Sequence, residues 1–270
     1  MAAHSFPLLR LPPKNLASVL RQVEIIEQIG LSLLSNKTKE YIRKFCDFKG
    51  FELSVWLHPY AVELELFKNG EGATHCSFRD GRACEHNEYP DGFTFDASQF
   101  FDMKSCLKHL LYILNPSKIA FLFYIQSNEV SDESQFQMTV DCLKGVKILK
   151  FSAKCIPQMN HIVRLVNAFP QTNRLSLVKN SNQPFQLSTL RQILHRKIQK
   201  LNLVIDITLN ELLLNNSATS DFYSERLRGK DINLFLKHWA AGLKPELEYI
   251  SFQISAVNFV ESTILAGIPH

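Results

Sequence analysis

At 270 residues with 46% hydrophobic side chains, the chain has enough apolar surface for one or two substantial cores, which excludes a disordered polymer. Its 30 lysines and arginines against 26 aspartates and glutamates leave a net charge of +4, too mild to imply a polyanion partner. The six cysteines at 46, 76, 84, 106, 142 and 155 form no CxxC pair, and no apolar run nears the ~18 residues of a membrane span. With Pro7, Pro12 and Pro13 interrupting any signal-peptide core, this reads as a soluble, intracellular chain of cytoplasm or nucleus, without disulfides.

Pro12 and Pro13 fix the backbone ahead of a first helix that starts near Lys14, a position where proline's missing donor is no loss. Leu16, Val19, Leu20 and Val23 then follow the i, i+3, i+4, i+7 spacing of one helical face. A second stripe, Ile25, Ile26 and Ile29, leads to a third through Leu31, Leu33 and Leu34. Ser35 breaks or caps the chain there, before Tyr41, Ile42 and Phe45. So much apolar surface on so short a segment needs a partner, because below ~40 residues burial rarely offsets chain entropy.

From Leu11 to Ile42 this segment resembles, without a gap, the F-box, the helical module that docks on the Skp adaptor of cullin–RING ubiquitin ligases. The likeness lies in the apolar frame: Leu11-Pro12 at the start, Leu16, Val19, Leu20 and Val23 along the first helix, then Ile29, Leu31, Leu33, Leu34 and Ile42. Lys14 stands where the pattern prefers glutamate, and Thr38 where it often has tryptophan. The resemblance implies an adaptor interface built from Leu11, Pro12, Leu16, Val19, Leu20, Ile29, Leu31 and Leu33, some of which must instead serve the helices' own packing.

Further on, Phe51–Leu57 and Ala61–Phe67 alternate like an antiparallel pair turning at His58-Pro59-Tyr60, and Asn69–Gly92 reads as a loop-rich stretch. Met103–Leu114 has helical spacing through Leu107, Leu110, Leu111 and Leu114, and Ile119–Ile125 is a fully apolar strand. KILKF at 147–151, NRLSL at 173–177 and QKLNL at 199–203 recur every 26 residues, a period of the leucine-rich-repeat range. Helical patterns follow the first two copies, through Ile162, Leu165, Val166 and Phe169, and through Leu187, Leu190 and Leu194. The expected product is parallel strands joined by helical crossovers, closing with a helix over Lys230–Leu243 and a strand over Leu247–Ile254. The repeats are degenerate: Asn180 occupies the inward asparagine position of the second copy, but Lys154 and Asp206 stand at its equivalents.

LNELLLNNS at 209–217, KDINLFLKHW at 230–239 and LEYISF at 247–252 look like the F-box-associated type 2 domain, found behind an F-box in a large group of nematode proteins. Together the resemblances imply an α/β (α+β overall) chain. A small helical F-box spans residues 5–46, and a degenerate leucine-rich-repeat-like strand–helix domain spans 51–270, with the junction between Phe45 and Phe51.

Other chemistries are weighed against that reading. His75, Cys76, Cys84 and His86 are competent zinc ligands, but adjacent and one-spaced pairs do not suit one tetrahedral ion. Cys155 with His161 is a nominal nucleophile pair, yet the chain has no Walker loop, GxSxG elbow, HExxH or dinucleotide fingerprint. His195, Arg196, Lys197 and Lys200, with Lys147, Lys150 and Lys154, suggest a basic stripe, but no aromatic residues interleave with it for base stacking. The resulting expectation is a non-catalytic substrate adaptor without cofactor or metal. It binds a Skp-type adaptor, and through it cullin, and also a client protein, while membranes and nucleic acid are disfavoured. The alternative is a protein-interaction module outside ubiquitin transfer, or a nucleic-acid-binding repeat protein.

Overall fold

Pro12 holds φ −53° and ψ 144° just ahead of the first helix, and Pro13 is that helix's first residue, so the ring constraint favours the turn that it starts. This is seen in a computed structural model, which describes residues 8–58, 61–68, 71–79, 93–96, 102–125, 133–154, 159–179 and 187–268. After a single 3-10 turn at Leu8–Arg10 come α1 (Pro13–Gln22), α2 (Ile25–Leu34) and α3 (Asn36–Phe45). Ser35 separates the last two in extended backbone and caps α3. Its Oγ accepts from the Thr38 N–H at 3.1 Å, while Thr38 Oγ1 accepts from the Ser35 N–H at 3.0 Å. Gln28, buried, donates from Nε2 to the carbonyls of Leu20 and Val23 at 3.0 and 2.8 Å, supplying acceptors at the end of α1 with a partner.

The chain as far as Ile119, apart from Leu57–Pro59, folds as one compact unit. It adds to the helices β1 (Phe51–His58), β2 (Ala61–Lys68), β3 (Glu71–Arg79), β4 (Phe93–Asp96) and α4 (Met103–Leu114), the strands lying side by side in that order. The expected pair over 51–57 and 61–67 forms β1 and β2. Pro59 and Tyr60 of its turn lie outside the described residues. The loop expected over 69–92 is corrected: residues 71–79 are a strand, antiparallel to β2, with Val62 opposite Phe78 and Leu64 opposite Cys76. All four of these side chains are buried. The stretch Glu71–His75 carries too little apolar alternation to read as a strand alone, and pairing with the apolar β2 recruits it.

The three helices and β1–β4 belong to this one unit. Helix α4 lies against α2, α3 and β2, and α2 also touches β3. Leu107 and Leu110 of α4, and Ile29 of α2, have no exposed surface at all. Burying a side chain of this size contributes about 1.5–3 kcal/mol, so the helices gain the apolar cover that they cannot supply alone.

The second unit, from Ala120 onward together with Leu57–Pro59, alternates strand and helix: β5 (Lys118–Ile125), α5 (Glu133–Leu143), β6 (Lys147–Lys154), α6 (Met159–Ala168), β7 (Arg174–Val178), α7 (Leu187–Leu194). It continues with β8 (Lys200–Val204), α8 (Leu209–Leu214), β9 (Thr219–Ser224), α9 (Gly229–Ala240) and β10 (Tyr249–Ile254), and closes on a 3-10 turn at Ala256–Asn258 and a short α10 (Glu261–Ile264). The strands run β5 to β10 in order across the sheet, and every step from β6 to β10 is parallel. Successive helices from α5 to α9 pack on one another.

Register shows how the repeat is built. Leu175 lies opposite Leu201, 26 residues on, as the motif spacing predicts, whereas Phe151 lies opposite Leu175, only 24 residues on. A slip of two residues leaves every side chain on its original face, so Phe151, Ala153, Leu175, Leu177, Leu201 and Leu203 all stay buried. The elements that escape the sequence reading include β4, α5 and β9; the inward positions of β9 include Ser220 and Ser224, both buried. Asn180 lies outside the described residues.

Candidate functional site

The eight residues expected at an adaptor interface divide by burial. Leu16, Leu20 and Ile29 are at most 2% exposed and form the interior of the three-helix segment. Leu11, Leu31 and Leu33 are half-buried, and Pro12 and Val19 are exposed. Leu34, next to Leu33, is 73% exposed, apolar surface that a partner could remove from water.

Leu31 and Leu34 open onto a groove of about 480 Å³, whose other walls are Leu8, Leu9 and Tyr41. Leu20 and Ile42 also line it, so the same helices supply an interior and a surface cleft. Leu33 faces a different depression of about 610 Å³, shared with Lys39, Lys108 and Tyr112. The sequence reading missed Leu8 and Leu9 as site residues. Their signal was position, an apolar pair just ahead of the Leu-Pro start.

Helix α3 is clamped to α4 by polar groups. Tyr112 on α4 takes the Arg43 guanidinium over its ring at 3.9 Å and the Lys39 ammonium at 4.6 Å, and its hydroxyl donates to the Glu40 carboxylate at 2.8 Å. Arg43 also donates from Nη1 to the Tyr112 carbonyl at 3.1 Å. Cation–ring contacts at these distances contribute about 0.5–1 kcal/mol each at exposed sites.

Two family descriptions match the chain. The F-box domain matches over residues 8–49 and the F-box associated domain over residues 189–252, in the order and over the motifs that the sequence reading quoted. The chain carries an F-box followed by an F-box associated domain. It is similar to the F-box associated domain-containing protein sdz-33 of Caenorhabditis elegans, 25% identical over 256 residues, which span 92% of this chain and 78% of that protein. No solved structure matches it. An F-box followed by an F-box-associated domain is the make-up of a substrate adaptor.

The groove of Leu8, Leu9, Leu31, Leu34 and Tyr41 therefore lies within the matched F-box. Thr38, which departs from the F-box pattern, is buried and belongs to the capping pair with Ser35, so its role is to start α3. Lys14, the other departure, is exposed in the first turn of α1.

The remaining chemistries fare as follows. Burial pushes the thiols of Cys46, Cys76 and Cys106 up to about 11, 12 and 12, which keeps them protonated and poor nucleophiles. His75 and Cys76 are neighbours on β3 and so point to opposite faces, His75 towards Glu63 at 3.6 Å. Cys84, His86 and Cys155 lie outside the described residues, as does the side chain of His161. Among the described residues no metal-ligating cluster forms, and no helix is long and apolar enough to cross a membrane. The basic run is largely engaged: Arg196 donates to the Val166 carbonyl, Lys197 pairs with Glu246 at 2.6 Å and Lys200 with Asp221 at 3.2 Å.

Proposed function

We propose that this chain is the client-recognition subunit of a cullin–RING ubiquitin ligase of the SCF type. Residues 5–46 dock on a Skp-type adaptor, which links the chain to cullin, and residues 51–270 hold the client on a leucine-rich-repeat-like strand–helix surface. The chain performs no chemistry itself. It positions a client for ubiquitin transfer by the ligase's other subunits, in the cytoplasm or nucleus.

The observation that carries this reading is the uncovered leucine surface within the matched F-box: Leu34 at 73% exposure beside a groove walled by Leu8, Leu9, Leu31 and Tyr41. An apolar groove on a helical segment fits a partner's amphipathic helix. Leu11, Pro12, Val19, Leu31 and Leu33 reach the surface and are the expected contact residues, while Leu16, Leu20 and Ile29 act by holding the helices together.

The test is co-purification of the full chain with Skp adaptors, comparing wild type with the double variant Leu31→Asp and Leu34→Asp. Stoichiometric capture that the folded variant loses supports the reading. Wild-type chain that captures no adaptor, or a folded variant that captures as well as wild type, overturns it.

A further inference from the structure

Strand β10, reading YISFQI, stands at one end of the strand order, and among the described residues nothing pairs with it on the side away from β9. Its register with β9 is parallel and unbroken, from Tyr249 beside Thr219 to Ile254 beside Ser224. Edge strands ordinarily carry a lysine, a proline or a bulge that keeps other chains off, and β10 has none of them. Among the described residues of the second unit, the exposed large hydrophobic side chains all fall between Tyr223 and Leu265. Apolar surface thus gathers at this end of the strand–helix stack, where such folds ordinarily turn a polar face to water.

Hydrogen bonds at the start of the strands fix which way the main chain of β10 points. The Thr219 N–H donates to the Gln199 carbonyl at 2.9 Å, on the β8 side, and the Tyr249 N–H donates to the Ala218 carbonyl at 3.2 Å. Alternation then turns the main-chain groups of Tyr249, Ser251 and Gln253 to β9 and leaves those of Ile250, Phe252 and Ile254 on the free edge. The side chains of these last residues face the helices: Phe252 stacks on Phe222 at 6.2 Å and meets Phe235 of α9 edge-on at 6.1 Å between ring centres. Ile250, Phe252 and Ile254 are nevertheless only half-buried, because no neighbouring strand covers their open side.

We propose that β10 is a self-association edge, on which a second copy of this chain lays its own β10 antiparallel about a two-fold axis at Phe252. That axis sets Phe252 opposite the partner's Phe252 and Ile250 opposite the partner's Ile254. Each pair exchanges both of its main-chain bonds, so every N–H and carbonyl of the free edge is used. On the other face Ser251 comes beside the partner's Gln253, a hydroxyl against an amide, and no like charges meet along YISFQI. A strand of another sequence would be selected by pockets or charges along the edge, and β10 supplies no charge to select with. The pairing uses the second unit alone and stands apart from adaptor docking.

The experiment is sedimentation velocity on the full chain across an about hundredfold dilution series, with amide hydrogen exchange on the same samples. The expected result is a mass that rises from 31.0 kDa towards twice that value, with the N–H groups of Ile250, Phe252 and Ile254 protected only where the dimer forms. Two double variants test the register: Ile250→Lys with Ile254→Lys, and Ile250→Glu with Ile254→Glu. Each alone sets like charges opposite one another and is expected to weaken self-association about tenfold or more, whereas a mixture of the two sets Lys against Glu and is expected to associate again. Circular dichroism checks that both variants keep the fold. If either does not, Ile250→Pro, which takes away an edge N–H and leaves the β9 ladder, replaces them and is expected to lower association. Wild-type chain that stays at 31.0 kDa throughout overturns the proposal and leaves the edge to a foreign strand. A dimer whose edge amides exchange as fast as the monomer's overturns it too, as does a mixture no more associated than either folded variant alone, or an Ile250→Pro variant that associates like wild type.

Discussion

Ser32 on α2 and His109 on α4, 77 residues apart in the chain, meet at 2.8 Å between Oγ and Nε2 inside the first unit. Because the Ser32 hydroxyl donates to the Ile29 carbonyl at 2.6 Å, the histidine must be the donor in this contact, from a protonated Nε2. An F-box helix is thus bonded, not merely apposed, to the α-helix that covers β2.

Burial of His109 makes stability depend on pH. Burial, with the nearby Lys39 adding to it, pulls His109 down to about 4. The unfolded chain takes up the proton near the ordinary value of ~6.5, so the contribution is complete above that value and is lost as pH falls towards 4. The loss is up to about 1.4 kcal/mol per pH unit within that window. Urea unfolding at pH 7 and pH 5 is expected to show a smaller difference in His109→Gln than in wild type; equal differences would remove His109 from the account.

Glu211, fully buried on α8, accepts from Arg191 Nε and Nη2 at 3.0 Å and from the Thr208 N–H at 3.1 Å. Burial pushes its carboxyl up, but the Thr208 and Arg191 hydrogen bonds outweigh that and hold it below the ordinary range. Its contribution is therefore present above about pH 4.3 and lost as pH falls further. Arg191→Met leaves the carboxylate without its counter-charge and is expected to cost about 2–3 kcal/mol, less than a wholly buried pair because the arginine is half-exposed. The acid-unfolding midpoint should then move to higher pH, and an unmoved midpoint would contradict the account.

The leucines of the F-box separate docking from packing. Leu34→Asp is expected to change stability by less than about 0.5 kcal/mol, as an exposed substitution does, while adaptor capture falls. Ile29→Ala, at a site with no exposed surface, is expected to cost about 2–5 kcal/mol. Thermal melts beside capture assays distinguish them, and full capture by Leu34→Asp would exclude the groove as the docking face.

Helix α9 ends on Gly242 at φ +79°. The Gly242 N–H reaches the Trp239 carbonyl at 2.8 Å, and the Leu243 N–H reaches that of His238 at 3.1 Å, the paired closure of a left-handed C-terminus. Gly242→Ala has open space for its methyl group but must still adopt the left-handed backbone, at about 1–2 kcal/mol. A melt unchanged by that substitution would show that the closure relaxes without strain.

Much of this architecture could be read from residue spacing, because burial imposes a period. Met103–Leu114 and the three strand motifs stood out since helix and strand each repeat their apolar positions at a fixed interval. The missing elements lack that mark. β9 turns Ser220 and Ser224 inward where leucine would have signalled a strand, and β3 begins in Glu-Gly-Ala-Thr, which reads as a turn until β2 pairs with it. The F-box resemblance placed Leu16 and Leu20 with Leu31 and Leu33 in one interface, though the first two are interior and the last two half-buried. Periodicity names the apolar face of a helix, but whether that face meets its own chain or a partner depends on what packs against it.

The shared interior of α2, α4 and β3 also bears on turnover. A protein that grips α1–α3 binds only the folded first unit, so its binding free energy is added to the stability of every strand in that unit, by about 2.7 kcal/mol at a hundredfold excess over its dissociation constant. Under the adaptor role proposed above, a chain without such a partner would lack that added stability, and its strands would open more often to proteases.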